Sequence, residues 1–534
     1  MDVDEIIQTA AELLETGEVD AAEGLCQVAL ALTPDKPELL RVSGRIELHR
    51  GRYSEAAQSL AKAASNGAGD APTLNALSFA SLMIQRFDVA VAAASEAVRL
   101  DPGLVDALVN LSLAQNALGR YADALETTEL AVAKRPNDAS LRLARSGALS
   151  GLRRLEAALS EADAAVGLAP TLVDTRIRRG EALQALGRHQ EAQSAFDAAL
   201  VLDPTRADAR FKRSFSRLVS GDLKGGFADY EDRFRISSTF TPPATLTAPR
   251  WKGAEPISGR SILLHCEQGL GDSLQFCRYA PLLAERGATV NILTRSPLLR
   301  LFRRLSGVET VRTFGDPIPE TDYVCSLMSL PAAFGDTLET VPAAAPYLSA
   351  DPADVKAWAD RLSDLKGLRI GLVWSGGRRA HVDGPGSVNS RRNIPLARLL
   401  RLPKDGVNYV SLQIGEPDER AADLEVLTNW SGPTLFDPTE SLRDFADTAA
   451  LIANLDLVIS VDTAVVHLAG ALDKEVWLLN RYDTCWRWMQ DRDDSPWYPK
   501  LRQYRQLTDG DWDSVVDRVS HDLRTRRELA SHKQ

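Results

Sequence analysis

Amphipathic, helix-like stretches fill the first 235 residues and are broken by turns at a fixed interval. The turns read GEVDAAEGL from 17, GRYSEAAQSL from 51, QRFDVAVAA from 85, GRYADALETT from 119, RRLEAALSEA from 153, GRHQEAQSAF from 187 and GDLKGGFADY from 221, each start 34 residues after the last. Five residues further on, the chain carries Ala22, Ala56, Ala90, Ala124, Ala158, Ala192 and then Gly226. A small residue at a fixed helical position lets two helices approach closely, and Pro34, Pro102, Pro136, Pro170 and Pro204 fall in phase to end each second helix. After TFTPPATLTAPRWKG (239–253) the rhythm changes to short apolar runs between helix-like stretches. These runs are SILLHC (261–266), ATVNILT (288–294), TDYVCSL (321–327), LRIGLVW (368–374), VNYVSLQ (407–413), LDLVISV (455–461) and EVWLLN (475–480). The alternation predicts buried parallel strands joined by crossover helices.

The 34-residue period resembles the tetratricopeptide repeat, with six full periods and a seventh that merges into the α/β region. The expectation for residues 1–235 is an α-solenoid whose concave face is lined by the first helix of each pair. Such a groove usually docks another protein; a spacer or dimerisation surface is the other reading. The slot nine residues before each turn holds Val42, Ala76, Asn110, Ala144, Arg178 and Lys212. O-GlcNAc transferases carry an asparagine ladder there that grips peptide backbone. Here only Asn110 fits that ladder, so a folded or helical partner suits the groove better. Arg176, Arg178, Arg179 and Lys212 make the end nearest the next domain basic, either as an acceptor contact or as a solvated face.

A connector over 236–260 leads to two Rossmann-like lobes, 261–365 and 366–534, divided by PAAAPYLSADP (342–352) and the charged helix after it. Each lobe opens with a strand and a glycine-bearing turn, HCEQGLGD and WSGGRR, and ligands of such lobes sit at the carboxyl ends of the strands. The fold expected is therefore an α-solenoid followed by an α/β pair of lobes, acceptor side first and donor side second, with a C-terminal segment packing back on the first lobe. The net charge of −11 argues against nonspecific nucleic-acid binding. No apolar run approaches the roughly 20 residues of a membrane helix, and the acidic N-terminal stretch lacks the pattern of a signal peptide. The five cysteines (26, 266, 277, 325, 485) show neither C-x-x-C nor metal-ligand spacing, which predicts reduced thiols in a cytoplasmic protein.

EQGLGDSLQF (267–276), SLQIGEP (411–417), ANLDLVISVDTAVVHLAGALDKEVWLLN (453–480) and WRWMQDRDDSPWYP (486–499) together resemble the GT-B glycosyltransferases related to the heptosyltransferases. More narrowly, the chain resembles bacterial proteins that join tetratricopeptide repeats to that catalytic half, and in architecture the flagellin-modifying glycosyltransferases. Inverting transfer needs one general base for the acceptor hydroxyl. Asp272, at the exit of the glycine turn, is either that base or a cap for a helix starting at Ser273. The resemblance gives it the role of base, with Glu267 in reserve. Gly269 and Gly271 would bring backbone close to substrate. Asp462, Thr463 and Ala464 open the helix after LDLVIS, whose free N–H groups suit a phosphate. His467, one turn on, is either a contact to the leaving phosphate or a core histidine.

The resemblance also puts Arg391 or Arg392 opposite the donor diphosphate and the nucleotide base near Gln413. Trp486 and Trp488 are expected nearest the cleft, where they could stack on base or sugar, whereas most of the C-terminal tryptophans pack the segment against the first lobe. DRDD (491–494) does not follow a strand of a first lobe and reads as a solvated loop. Together these features imply a metal-independent, inverting transferase without cofactor that uses a nucleotide sugar and a protein acceptor on the repeats. Flagellin and a CMP-linked nonulosonic acid such as pseudaminic acid are the favoured pair; UDP-N-acetylglucosamine, a lipid-glycan substrate and an inactive scaffold are the alternatives. Residues 1–235 alone are expected to hold the acceptor, and residues 240–534 alone to bind nucleotide sugar.

Overall fold

The computed structural model describes residues 2–236, 245–377, 387–415, 423, 425–428 and 435–531, with side chains to 527. It divides into two compact units, one ending at Leu186 and the other beginning at Gly187.

The first unit is helical throughout. Helix pairs α1 (Val3–Glu15) and α2 (Val19–Leu32), α3 (Pro37–His49) and α4 (Tyr53–Ala63), α5 (Ala71–Met83) and α6 (Phe87–Leu100) follow one another. The series continues with α7 (Val105–Ala117), α8 (Tyr121–Lys134), α9 (Ala139–Gly151), α10 (Leu155–Leu168) and α11 (Val173–Ala185). The periodic alanines Ala22, Ala56, Ala90, Ala124 and Ala158 are all fully buried, as close helix approach requires. Each phased proline stands two residues beyond its helix, for example Pro102 after Leu100 and Pro136 after Lys134. The second repeat has Ala68 in that slot, and its chain instead leaves α4 through a π-helical turn in which Gly67 has φ 111°. The first residue of every turn is left-handed: Gly17, Gly51 and Gly119, but also Gln85 (φ 59°) and Arg153 (φ 60°). Geometry at that slot is thus imposed by packing even where glycine is absent.

The second unit starts inside the repeat array. Helices α12 (His189–Leu202), α13 (Ala207–Val219) and α14 (Leu223–Tyr230) belong to it, and α13 and α14 share one continuous core with the α/β region. Leu218, Leu223, Phe227 and Tyr230 pack in the same cluster as Phe276, Trp486 and Trp497. Gly226 replaces the periodic alanine because a Cβ there would lie 2.6 Å from Leu218 Cγ. The repeat pattern runs to 235, whereas the compact units divide at 186, and α13 and α14 bury apolar side chains against the lobes.

Strands β1 (Ser261–His265), β2 (Thr289–Thr294), β3 (Val308–Thr313) and β4 (Tyr323–Ser326) form the first sheet, in the order β3-β2-β1-β4. Strands β5 (Leu368–Val373), β6 (Val407–Ser411), β7 (Leu435–Phe436), β8 (Leu457–Val461), β9 (Val476–Asn480) and β10 (Leu501–Arg505) form the second, in the order β10-β9-β8-β5-β6-β7. The described ladders between these strands are all parallel. All seven predicted strands are present; β3, β7 and β10 were not predicted. Part of the expected connector is structural: Trp251 N–H donates to Val324 O at 2.9 Å, which adds residues 249–251 to the β4 edge. The stretch 485–498 meets the first lobe through Trp486 and Trp497 against Phe276. The final helix, Trp512–Ser531, instead covers the second sheet with Val515, Val516, Val519 and Leu523. No helix of the described residues is long and apolar enough to cross a membrane.

Candidate functional site

β1 ends at His265, and the chain turns through Glu267–Gly269 into a short helix, Leu270–Phe276. That helix begins three residues earlier than expected, which puts Asp272 in its first turn. Asp272 accordingly caps backward: its Oδ2 accepts the Gly269 N–H at 2.8 Å. Its Oδ1 is ion-paired to Arg487, whose guanidinium also donates to Gln275 Oε1 at 2.9 Å and lies 4.2 Å over the Trp486 ring. The Asp272 side chain keeps 19% of its surface exposed at the carboxyl end of β1. A carboxylate has about four acceptor positions, so these two bonds leave room for a hydroxyl donor.

Glu267 has a different environment. Its side chain is 4% exposed and is held by Nε and Nη2 of Arg233, at 2.7 and 3.3 Å. As the reserve base it is displaced by this ion pair, which turns the carboxylate away from solvent. Gly271 also departs from expectation. A Cβ on it would lie 3.0 Å from His467 Cδ2 and 3.4 Å from Ala464 Cα, so this glycine lets the first-lobe helix touch the second-lobe helix Ala464–Ala471. Gly269, the N-cap, supplies the N–H that holds Asp272.

In the second lobe β8 is followed by Asp462, Thr463 and Ala464, all half-buried. Thr463 is the extended N-cap residue, and its hydroxyl lies 3.1 Å from Ser460 Oγ. Arg392 donates to Asp462 O at 3.0 Å and lies flat on Gly376, where a Cβ would come within 2.0 Å of the guanidinium. The WSGG turn and the start of the Ala464 helix are thereby joined by one cation. Arg391 points elsewhere, to Asp483 at 2.8 Å. Gln413 closes the turn from behind, its Oε1 accepting the N–H groups of Trp374 (3.1 Å) and Ser375 (2.9 Å). Most of the basic loop of the motif, residues 378–386, lies outside the described residues.

His467 is buried, with Nδ1 2.9 Å from the Tyr498 hydroxyl and its ring stacked on Trp488 at 5.2 Å. Burial, reinforced by Arg487 and Arg278, drives its pKa well below the ordinary imidazole value, so it is neutral. The geometry is that of the core-histidine alternative. Trp488 is fully buried beneath it, and Trp486 sits among Phe227 and Phe276. Both tryptophans are therefore core aromatics rather than stacking surfaces for a base or sugar. In the DRDD loop Arg492 closes on Asp494, and Asp493 and Asp494 are exposed.

Among the groove residues, Asn110 is buried and spends its amide on Asn75 Oδ1 (2.8 Å), a bond between neighbouring first helices. Arg178 pairs with Glu181 one turn on at 2.9 Å, and Lys212 is half-buried on α13. Three residues not singled out by motif reading complete the turn's surroundings: Arg487, Arg233 and Tyr230, whose hydroxyl meets the Gln268 amide at 2.7 Å. Arg487 lay within the WRW motif but was overshadowed by its tryptophans. Nothing in sequence linked residues 230–233 to a turn 35 residues away.

Residues 434–488 match the model of glycosyltransferase family 9 (heptosyltransferase), and residues 8–71, 84–139 and 177–237 match a tetratricopeptide repeat model. The first match includes the Ala464 helix and stops at Trp488, so it does not include the Asp272 turn. Protein FlbA of Caulobacter vibrioides is 27% identical over 331 residues, 58% of this chain and 53% of FlbA. The chain thus spans about half the length of that relative. Similar solved structures include a tetratricopeptide repeat protein of Parabacteroides merdae, at 15% identity and TM-score 0.39, covering 44% of this chain and 94% of that one. PilF of Pseudomonas aeruginosa is similar at 18% identity and TM-score 0.32, covering 39% and 95%.

Proposed function

We propose that this chain, which joins tetratricopeptide repeats to a glycosyltransferase family 9 domain, is an inverting protein O-glycosyltransferase that works without a metal. The acceptor is a Ser or Thr hydroxyl of a protein held by the repeats, and the donor is a nucleotide sugar. The observation that supports this best is the meeting of two turns. The first-lobe turn that carries Asp272 touches, through Gly271, the first residue of the second-lobe helix at Ala464. A proton acceptor and a phosphate-binding helix start are thus within one substrate's length of each other. In the reaction the acceptor oxygen bonds to the anomeric carbon and its proton passes to Asp272. The bond to the nucleotide phosphate breaks, and its electron pair leaves on the phosphate. Arg392, beside the helix start, neutralises that charge together with the free N–H groups. Gln413 shapes the strand end near which the nucleotide base would lie.

The favoured acceptor and sugar, flagellin and a nonulosonic acid such as pseudaminic acid, rest on the architectural resemblance alone. A UDP-N-acetylglucosamine-dependent protein transferase and a non-catalytic scaffold are the competing readings. The test is Asp272→Asn in the full chain, assayed with CMP-pseudaminic acid and UDP-N-acetylglucosamine against flagellin. Loss of a general base lowers the rate about 10²–10⁴-fold, with donor binding retained and EDTA without effect on the unsubstituted enzyme. Transfer at an undiminished rate by the variant would return Asp272 to a cap alone, and sensitivity to EDTA would overturn the metal-free mechanism.

A further inference from the structure

The glycine turn is braced from outside itself. Gly269 and Gly271 offer no side chains with which to fix the backbone, yet the position of Asp272 depends on the Gly269 N–H. The two residues just before Gly269 are both held by the end of the last repeat. Arg233 is fully buried and grips Glu267 with two nitrogens, while also donating to Ser329 Oγ at 2.8 Å and to Tyr230 O at 3.2 Å. A two-pronged guanidinium–carboxylate contact fixes orientation as well as distance. Tyr230, at the C-terminal end of α14, binds the Gln268 amide and packs edge-on against Phe215. A short path thus runs from α14 through Gln268 to the Gly269 N–H and Asp272.

We infer, on the reading of Asp272 as the base, that Tyr230 and Arg233 are positioning residues for the catalytic turn. The last repeat then has a role in the chemistry itself, distinct from holding an acceptor. Neither side chain touches substrate; each sets where the Asp272 carboxylate stands relative to the Ala464 helix.

The test uses two full-length variants. Tyr230→Phe removes only the hydroxyl and keeps the ring packing. Arg233→Met with Glu267→Met removes the buried pair and leaves Glu231, the other partner of Arg233, still paired to Arg250, a change that buried pairs often tolerate. Amide hydrogen exchange across residues 267–273 is read beside steady-state kinetics and donor binding. The expected result is exchange at Gly269 and its neighbours faster by about tenfold or more, with donor affinity unchanged. In the double variant kcat should fall about 10²-fold, the cost of a reacting group displaced by roughly 1 Å; Tyr230→Phe should fall less. Unchanged exchange in Tyr230→Phe would overturn the inference, as would faster exchange with undiminished kcat. An unsubstituted chain that transfers no sugar would sink the glycosyl-transfer reading instead, while the exchange measurement would still decide whether the last repeat holds the turn.

Discussion

Removing residues 1–239 takes away α12, α13 and α14 together with the rest of the repeats, and this is a more severe cut than the change in sequence rhythm suggests. Leu218, Leu223, Phe227 and Tyr230 are each between 0 and 4% exposed, in one cluster with Phe276, Trp486 and Trp497. Burying an aliphatic or aromatic side chain is worth about 1.5–3 kcal/mol, so these four contribute about 6–12 kcal/mol. The same cut strands Glu267 without Arg233, and breaking a buried pair from one side costs about 3–5 kcal/mol. Whole domains are stable by about 5–15 kcal/mol, so the loss is as large as the stability itself. Residues 240–534 should therefore aggregate or unfold without cooperativity, contrary to the expectation that they bind nucleotide sugar alone. Residues 187–534 should be monodisperse and unfold in one urea transition. Size exclusion and urea titration of the two fragments decide the matter. A cooperative 240–534 fragment with the same midpoint as 187–534 would refute the reasoning. Residues 187–534 are also the fragment on which to measure what the earlier repeats add: it should bind nucleotide but modify the acceptor poorly, lacking a docking advantage of about millimolar effective concentration.

Gly376→Ala places a methyl where the Arg392 guanidinium now lies, and that flexible end can move while the fold stays. Loss of one charged hydrogen bond is worth about 1.5–3 kcal/mol, so calorimetric donor affinity should fall about 10–100-fold with an unchanged melting temperature; unchanged affinity would take Arg392 out of the donor site. Stability should also depend on pH below neutrality. His189 and His265 are held down to about 4, chiefly by burial, with Asp483 opposing the shift at His189 and Arg233 and Arg250 adding to it at His265. Their ordinary value is near 6.5, so the unfolded chain takes up protons that the folded chain refuses. Their contribution is complete above pH 6.5 and lost as the pH falls toward 4, by at most about 3 kcal/mol for each group. Urea midpoints for His189→Gln should fall less steeply over that window than those of the unsubstituted protein, and equal slopes would count against the assignment.

The repeat was legible because its rule is local and repeated. A buried alanine, a left-handed turn residue and a proline stop recur at one period, and each has a packing reason that holds wherever it occurs. The strands read from sequence were those with a mostly buried apolar run, including β4 at the edge of the first sheet. β3, with the sequence VETVRT, lies at a sheet edge and alternates with solvent, and β10, LRQYR, is an edge strand as well. β3 leaves most of its residues partly or fully exposed, and β10 interrupts its run with Arg502, Gln503 and Arg505, so both lack the continuous apolar run that marks the others. The unit boundary was not legible because α13 and α14 keep the repeat pattern while spending apolar side chains on the lobes, and periodicity does not record what a face is packed against.

At the site, motif reading assigned several residues to substrate that the fold packs against each other. Gly271, His467, Trp486 and Trp488 all pack against protein near where the two lobes meet, the last three buried. A motif records which residues a turn requires, and the requirement is the same whether the close neighbour is a phosphate or a helix from the other lobe. What separates the two is long-range pairing. Arg487 is 215 residues from Asp272 and Arg233 is 34 residues from Glu267, and both pairs exist only after the lobes and the last repeat have packed. The acidic residues of the opening turn are therefore understood only with those cations in place: Arg487 leaves Asp272 partly open at the strand end, and Arg233 closes Glu267 off. Of two carboxylates five residues apart, only the one proposed as the base keeps a partly exposed side chain, and that distinction is made by residues far outside the motif.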